Sequence, residues 1–369
     1  MRILQQCIYF PPEVGGLESH VYYLCRDLVR LGHDVTMLTS RSKPESRTQE
    51  EVEGIRVIRS WFPGKSPAGW AAHTFATVPQ FQKLARNADI MHAQTFASAL
   101  PGMIAKRRLR KPLVLTLHTS HFLRLAKKPV WKPVLRGIIA SADRLLAASE
   151  EIRDVALSLF AHARAEALTN GVDTNLFRPI APALAQAPGK RRIVVPRRLF
   201  EKNGVEYLVR AMPLLAERLD VEALLIGDGP ERPRLEALAR ELQISSRVTF
   251  MGARANPEMP GLLCSADVVV IPSLMEATSV AALEAMSCAR PVAASNVGGL
   301  PEIVDESVGT LFRPGDPQDL ADRLHALLSA PDLRERGARG RERVVARWSN
   351  DRLARRHVEI YEELLNEAR

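Results

Sequence analysis

The stretch Ala266–Glu302 reads ADVVVIPSLMEATSVAALEAMSCARPVAASNVGGLPE. Its opening, Ala266 to Pro272, is short, apolar and rich in β-branched residues, which predicts a buried parallel strand. Thr278 or Ser279 can cap a following helix whose apolar face includes Val280, Leu283 and Met286. Glu276 then falls on the loop at the strand's carboxyl end, where open α/β sheets bind ligands. Glu284 lies inside the helix, and a Gly-Gly-x-Pro-Glu segment follows at Gly298–Glu302. Free N–H groups at the helix start favour an anion, and the two carboxylates flank it as hydroxyl acceptors. A diphosphate with a ribose on one side and a sugar on the other suits those parts.

The same alternation extends outward in both directions. ILQQCIYF leads into a Gly-rich turn, a helix from about Glu18 to Leu31 ended by Gly32, and the strand DVTMLTS, a βαβ opening. IRVIRS, ADIMHA, PLVLTLH and RLLAAS are further strands, with helices over 74–87, 97–108, 129–141 and 150–159. The Pro- and Ala-rich run RPIAPALAQAPGK reads as a linker. The pattern then restarts with RRIVVPRRL, EALLIGDG, RVTFMG, DVVVIP, RPVAAS and GTLFRPG, alternating with helices near 204–217, 231–242, 256–264, 279–287, 299–304 and 317–329. Both halves are therefore expected to be doubly wound parallel sheets of the Rossmann-like α/β class. A last helix is expected over about Asn350–Glu367.

A chain of 369 residues, 46% hydrophobic and 25% charged, is too long for one ordinary core. No apolar run is long enough to span a membrane as a helix, and the N-terminus reads as a first strand, not a signal peptide. Cys7, Cys25, Cys264 and Cys288 show no CxxC or Cys/His pattern, which points to a reducing cytoplasm and away from a zinc site. The net charge of +9 is lopsided: residues 1–180 hold 25 Lys/Arg against 15 Asp/Glu. Between Ile90 and Ala142 no acidic residue occurs, while Lys106, Arg107, Arg108, Arg110, Lys111, Arg124, Lys127, Lys128, Lys132 and Arg136 do. This stretch, 106–136, reads either as a solvated basic face or as a surface for anionic lipid. Interleaved Phe122, Leu123 and Trp131 favour membrane docking. No nucleic-acid-binding motif accompanies the charge, so nucleic acid is not expected as a partner.

Other candidates sit at strand ends. Pro11-Pro12-Glu13-Val14-Gly15-Gly16 turns from the first strand into a helix, and Gly15 and Gly16 let backbone approach either a phosphate or another segment of the fold. The turn lacks GxGxxG spacing and an acidic residue closing the next strand, which argues against a nicotinamide cofactor. Arg198 and Lys202, after IVVPRRL, are placed to neutralise a diphosphate leaving group, or are plain surface charges. Gly227 and Gly229, in GDGP, either meet a base or sugar or make an ordinary turn. His118 terminates LVLTL, where an imidazole can hydrogen-bond a sugar hydroxyl, orient a reacting group or be structural. His92, after ADIM, is a weaker analogue.

Taken in order, these segments resemble the retaining nucleotide-sugar glycosyltransferases of glycosyltransferase family 4. The resemblance covers nearly the whole chain: FPPEVGGLESHVYYLCRDLVRLGHDV, LTLH, NGVDTNLFRP, RRLFEKNG, LLIGDGP, the Glu276–Glu284 segment, VGGLPEIV, LFRPGD and a closing RWSNDRL with a later tyrosine. It implies the GT-B architecture, two facing Rossmann-like domains with an interdomain cleft. An acceptor-side domain would span 1–178, with 350–369 packing back on it, and a donor domain 179–349. Gly16 would cradle the donor diphosphate, while Arg198 and Lys202 would clamp it. Glu276 would bind the transferred sugar and Glu284 the ribose. Backbone N–H groups at Ser279 and Val280 would meet the phosphate, and His118 would lie beside the sugar. The implied partners are a nucleotide-sugar co-substrate and a glycan or lipid-linked acceptor, with no cofactor and no metal.

Two departures from the family pattern stand out. Ala277-Thr278-Ser279 replaces glycine-containing sequences, so those side chains would narrow the sugar pocket and alter which hexose fits, and Ala289 replaces a frequent glycine. The alternatives are an epimerase or glycosyl phosphorylase on the same fold, and a membrane-docked scaffold without activity.

Overall fold

The computed structural model describes every residue except Val14, Thr119 and Arg369, together with all side chains of the remainder but that of Ser120. The chain forms two compact units: Met1–Asn170 with Asn350–Arg369, and Gly171–Ser349. The division falls at Asn170, eight residues before the expected one at Arg178, because Val172 and Phe177 are buried in the second unit's core.

Unit 1 is built on an eight-stranded sheet: β1 (Arg2–Gln6), β2 (Asp34–Ser40), β3 (Gln49–Val52), β4 (Ile55–Ser60), β5 (Ile90–Ala93), β6 (Leu113–Leu117), β7 (Arg144–Ala147) and β8 (Ala165–Ala167). The order is β3-β4-β2-β1-β5-β6-β7-β8, parallel throughout except for the β3–β4 pair. Alternate residues feed opposite faces, as the two-residue period of a strand requires. Ile3, Val35 and Met37 join one apolar cluster, Leu4 and Leu38 another. The terminal helix Asn350–Glu367 belongs to this unit, and its Ala354, Ile360, Tyr361 and Leu364 enter the first cluster beside the helix Gly16–Arg30.

Unit 2 has six parallel strands: β9 (Arg191–Pro196), β10 (Val221–Ile226), β11 (Val248–Gly252), β12 (Val268–Ile271), β13 (Val292–Ser295) and β14 (Gly309–Phe312). They lie in the order β11-β10-β9-β12-β13-β14. Val268 and Val270 pack on one face of the sheet, Val269 and Ile271 on the other. Burial on both faces is why β12 reads as an unbroken apolar run. Winding reverses between β9 and β12, so their carboxyl ends sit side by side at a topological switch point, where such sheets take their ligands.

Candidate active site

The strand order of unit 2 brings together two segments far apart in sequence. The chain leaves β9 as Pro196-Arg197-Arg198 and leaves β12 as Pro272-Ser273. Leu274 N–H donates to the Lys202 carbonyl at 2.9 Å, tying the two loops. Arg197 donates through Nη2 to Ser273 Oγ at 2.6 Å and to Asn203 Oδ1 at 3.3 Å, and forms an ion pair with Glu276. Ser273 Oγ adds a 3.2 Å hydrogen bond to Glu276 Oε2. Glu276 is thus held by one oxygen in a largely buried pair. Sequence reasoning missed Arg197 and chose its neighbour. The available signal was the doubled arginine at a strand end, but the partnership with Glu276 depends on β9 lying beside β12.

Glycines shape this end of the sheet by what they leave out. A Cβ on Gly298, whose φ is +54°, would stand 1.7 Å from the Glu276 carbonyl oxygen. Cβ atoms on Gly227 and Gly229 would stand 2.1 Å from Arg197 O and 2.3 Å from Leu199 O. Those two glycines therefore serve the close approach of the β10 loop to the β9 loop. Arg198 and Lys202 are exposed on the β9 loop, Arg198 with its guanidinium 5.6 Å from the Phe200 ring centre.

Of the two cap candidates, Ser279 is the one used: its Oγ accepts from the Ala282 N–H at 3.3 Å, starting the helix Val280–Ser287. Such a cap leaves other N–H groups of the first turn without an intrahelical partner. The Thr278 hydroxyl is buried beside it without a hydrogen-bond partner among the described residues. Glu284, half-buried on the same helix, has no ion pair or side-chain hydrogen bond among the described residues, and burial pushes its carboxyl up to about 8.

In unit 1, Gly15 precedes the helix Gly16–Arg30, and the Glu18 carboxylate folds back over the helix start, 2.2 Å from where a Gly15 Cβ would be. Val14 of that turn lies outside the described residues. His118 follows β6 and is almost fully buried. Its Nε2 lies 2.8 Å from Gln94 Oε1, its Nδ1 3.1 Å from Asn170 Oδ1, and its ring centre 4.9 Å from that of His20. Burial drops it to about 3, so the ring is neutral. His92 does not enter a crevice: it lies within β5, fully buried between Tyr361 and Thr116.

The basic stretch divides in two. Lys106 bonds Asp143 and the Ser141 carbonyl, both at 2.8 Å, Arg108 bonds Gln82, and Lys111 takes the carbonyls of Ala85, Arg86 and Ala88. These side chains hold unit 1 together. Phe122 is fully buried, which corrects its place among the surface aromatics. Downstream, Val130, Trp131 and Val134 stand 76%, 39% and 49% exposed among exposed Arg124, Lys127, Lys128, Lys132 and Arg136.

Residues 14–176 match the family model for Glycosyltransferase Family 4, and residues 190–330 match that for Glycosyl transferases group 1. A D-inositol 3-phosphate glycosyltransferase of Thermobispora bispora is 30% identical over 96% of this chain and 91% of its own. The chain is a family 4 glycosyltransferase. An uncharacterised glycosyltransferase of Methanocaldococcus jannaschii is 29% identical to it over 98% of both chains. Among solved structures, sucrose-phosphate synthase from Thermosynechococcus elongatus matches this glycosyltransferase with a TM-score of 0.87 and 25% identity over 99% of each chain. HepE of Anabaena in complex with UDP-glucose matches with a TM-score of 0.76 at 22% identity, over 98% of this chain and 100% of its own. The fold of this glycosyltransferase is GT-B, built from the two parallel-sheet α/β units described above.

Proposed function

We propose that this glycosyltransferase moves a hexose from a UDP- or GDP-linked sugar to a hydroxyl of a glycan or lipid-linked acceptor, forming an α-glycosidic bond with retention of configuration. The observation that carries the reading is the arrangement at the β9 and β12 carboxyl ends. There, exposed Arg198 and Lys202, a carboxylate held by Arg197, and a Ser279-capped helix start occupy adjoining loops. The two cations neutralise the departing diphosphate, so the reading requires no metal. Glu276 takes the sugar hydroxyls through its remaining oxygen, Glu284 the ribose, and the N–H groups at Ser279 and Val280 the phosphate. The Gly15–Gly16 backbone is assigned to the diphosphate and His118 to the transferred sugar. The leaving phosphate accepts the acceptor's proton, which fits a neutral His118. Support for a nucleotide sugar comes from HepE, solved with UDP-glucose.

We assign the exposed Val130–Trp131–Val134 surface to the inner face of a membrane carrying anionic lipid. An apolar patch rimmed by lysine and arginine has the make-up of an interfacial element. No helix of the described residues is long and apolar enough to cross a bilayer, and the four cysteines are free and buried, in keeping with a reducing compartment.

Calorimetric titration of UDP, GDP and ADP, with and without EDTA, tests the donor site. Selective binding of UDP or GDP, unaffected by EDTA, is the expected result. Binding of no nucleotide, or binding abolished by EDTA, refutes the reading. Sedimentation with phosphatidylglycerol vesicles tests the surface. Val130→Ser/Trp131→Ser/Val134→Ser should stay in the supernatant, and a triple variant that still sediments refutes the docking.

A further inference from the structure

A buried chain of polar side chains runs through unit 1 from His118 to the terminal helix. His118 Nε2 lies 2.8 Å from Gln94 Oε1, and Gln94 Nε2 donates to Gln5 Oε1 at 2.7 Å. Gln5 Nε2 donates to the Tyr361 hydroxyl at 3.1 Å. That hydroxyl lies 2.6 Å from His92 Nδ1, and His92 Nε2 lies 2.6 Å from Thr116 Oγ1. Gln5, Gln94, His92 and Tyr361 are completely buried. Register explains the assembly: Gln5 stands opposite His92 across the β1–β5 pair, and Thr116 lies two residues beyond His92's partner Val114 on β6. Any one of these groups left unpaired would cost about 1–3 kcal/mol, so the chain is tolerable only when every member is satisfied.

Amides give the chain a direction. Gln5 presents its NH2 to Tyr361, so its carbonyl faces Gln94. Gln94 directs its NH2 to that carbonyl and turns its own oxygen to His118. A carbonyl oxygen only accepts, so with Gln94 oriented in this way His118 Nε2 carries the hydrogen. In a neutral ring Nδ1 is then a lone pair, and it faces Asn170 Oδ1 at 3.1 Å, two acceptors together unless the Asn170 amide is turned. The orientation of such an amide is settled by its partners, and turning it by half a revolution satisfies both groups. Neither ring nitrogen is left free to take a proton from another molecule.

We propose that Gln94 and Gln5, anchored on Tyr361 of the terminal helix, are positioning residues that fix His118 as the Nε2–H tautomer. His118 then acts as a rigid hydrogen-bonding ring and not as a general base. The catalytic part of this inference rests on the assignment of His118 to the sugar, whereas the tautomer does not.

The test is the two-bond proton–nitrogen spectrum of the whole protein labelled with [15N]histidine, with the His118 signals identified by their loss in His118→Asn. The expected result is a protonated Nε2 and an unprotonated Nδ1 from pH 5 to 9. Gln94→Leu should shift the ring to a mixture or to the Nδ1–H form. Tyr361→Phe, which keeps the ring volume of a core residue, should shift it part of the way and decides the matter if Gln94→Leu does not fold. An Nδ1–H ring in the unmodified protein, an imidazolium above pH 5, or a tautomer indifferent to the decisive variant overturns the proposal. With a donor identified, kcat in Gln94→Leu should fall about 10²-fold with donor KM unchanged. An unchanged kcat overturns the positioning role. The expected tautomer without turnover of any nucleotide sugar would sustain the relay and refute the transferase reading instead.

Discussion

Glu284 is the carboxyl for which the structure makes the sharpest claim. Burial raises it from the usual glutamate value of 4.5 to about 8, with no cation among the described residues paired with it to offset the cost. The folded protein therefore holds a proton that the unfolded chain releases near pH 4.5. Stability from this group is fully present below that pH, declines as pH rises through the window, and is gone above about 8. Each pH unit inside the window is worth about 1.4 kcal/mol. Between pH 5 and 8 the decline is at most about 4 kcal/mol, an upper bound because the group's rim is open to water. Glu284→Gln removes the ionisation and keeps the shape. Urea unfolding at pH 5, 6, 7 and 8 should show the original protein losing stability relative to the variant at up to that slope. Two ribose hydroxyls donating to Glu284 would favour the carboxylate, so UDP binding at pH 7 should release a proton. Titrations in buffers of different ionisation enthalpy measure that release. Parallel pH–stability curves for the two proteins would refute the reasoning.

Three other perturbations test the architecture of the site. Gly298→Ala places a methyl 1.7 Å from the Glu276 carbonyl at a φ of +54°. Thermal unfolding should show a loss of about 1–3 kcal/mol and a turnover assay a fall of about 10²-fold or more. Arg197→Ala leaves Glu276 without its cation, so urea unfolding should register about 3 kcal/mol and kcat should fall more than UDP affinity does. Lys111→Ala strands the carbonyls of Ala85, Arg86 and Ala88. Stability should drop by about 1–3 kcal/mol while vesicle sedimentation stays as before.

Parallel strands and their loops were legible because each announces itself locally. VVVI cannot be other than buried, and Ser279 followed by VAALEAM starts a helix. Where local signals conflict, the reading failed. The helix expected over 74–87 is two, Pro67–Ala76 and Val78–Ala85, each opened by a proline in its first turn. The helix Leu333–Arg347 went unseen, because LRERGARGRERVVAR has few apolar residues and two glycines. Gly337 is there because a Cβ would meet the Ala289 carbonyl oxygen at 2.2 Å, a contact no local pattern encodes. β3, QEEV, is a charged edge strand with only Val52 packed on the core. The site divides along the same line. The loop positions of Glu276, Arg198 and Lys202 could be read from order along the chain, while the Arg197–Glu276 pair and the Gln94–Gln5–Tyr361 chain needed the strand order.

The terminal helix returning to unit 1 has a consequence for synthesis. The second residue of the Gln5–Tyr361 pair is made 356 positions after the first. At about 5–20 residues per second, Gln5 and Gln94 wait tens of seconds on the ribosome before Tyr361 exists. Unit 2, contiguous in sequence, has all its strands by Phe312. The nascent chain thus reaches a stage at which its later-made half can be complete and its first-made half still lacks a wall. A folding factor that shields the open face of that first half during translation would have a defined target.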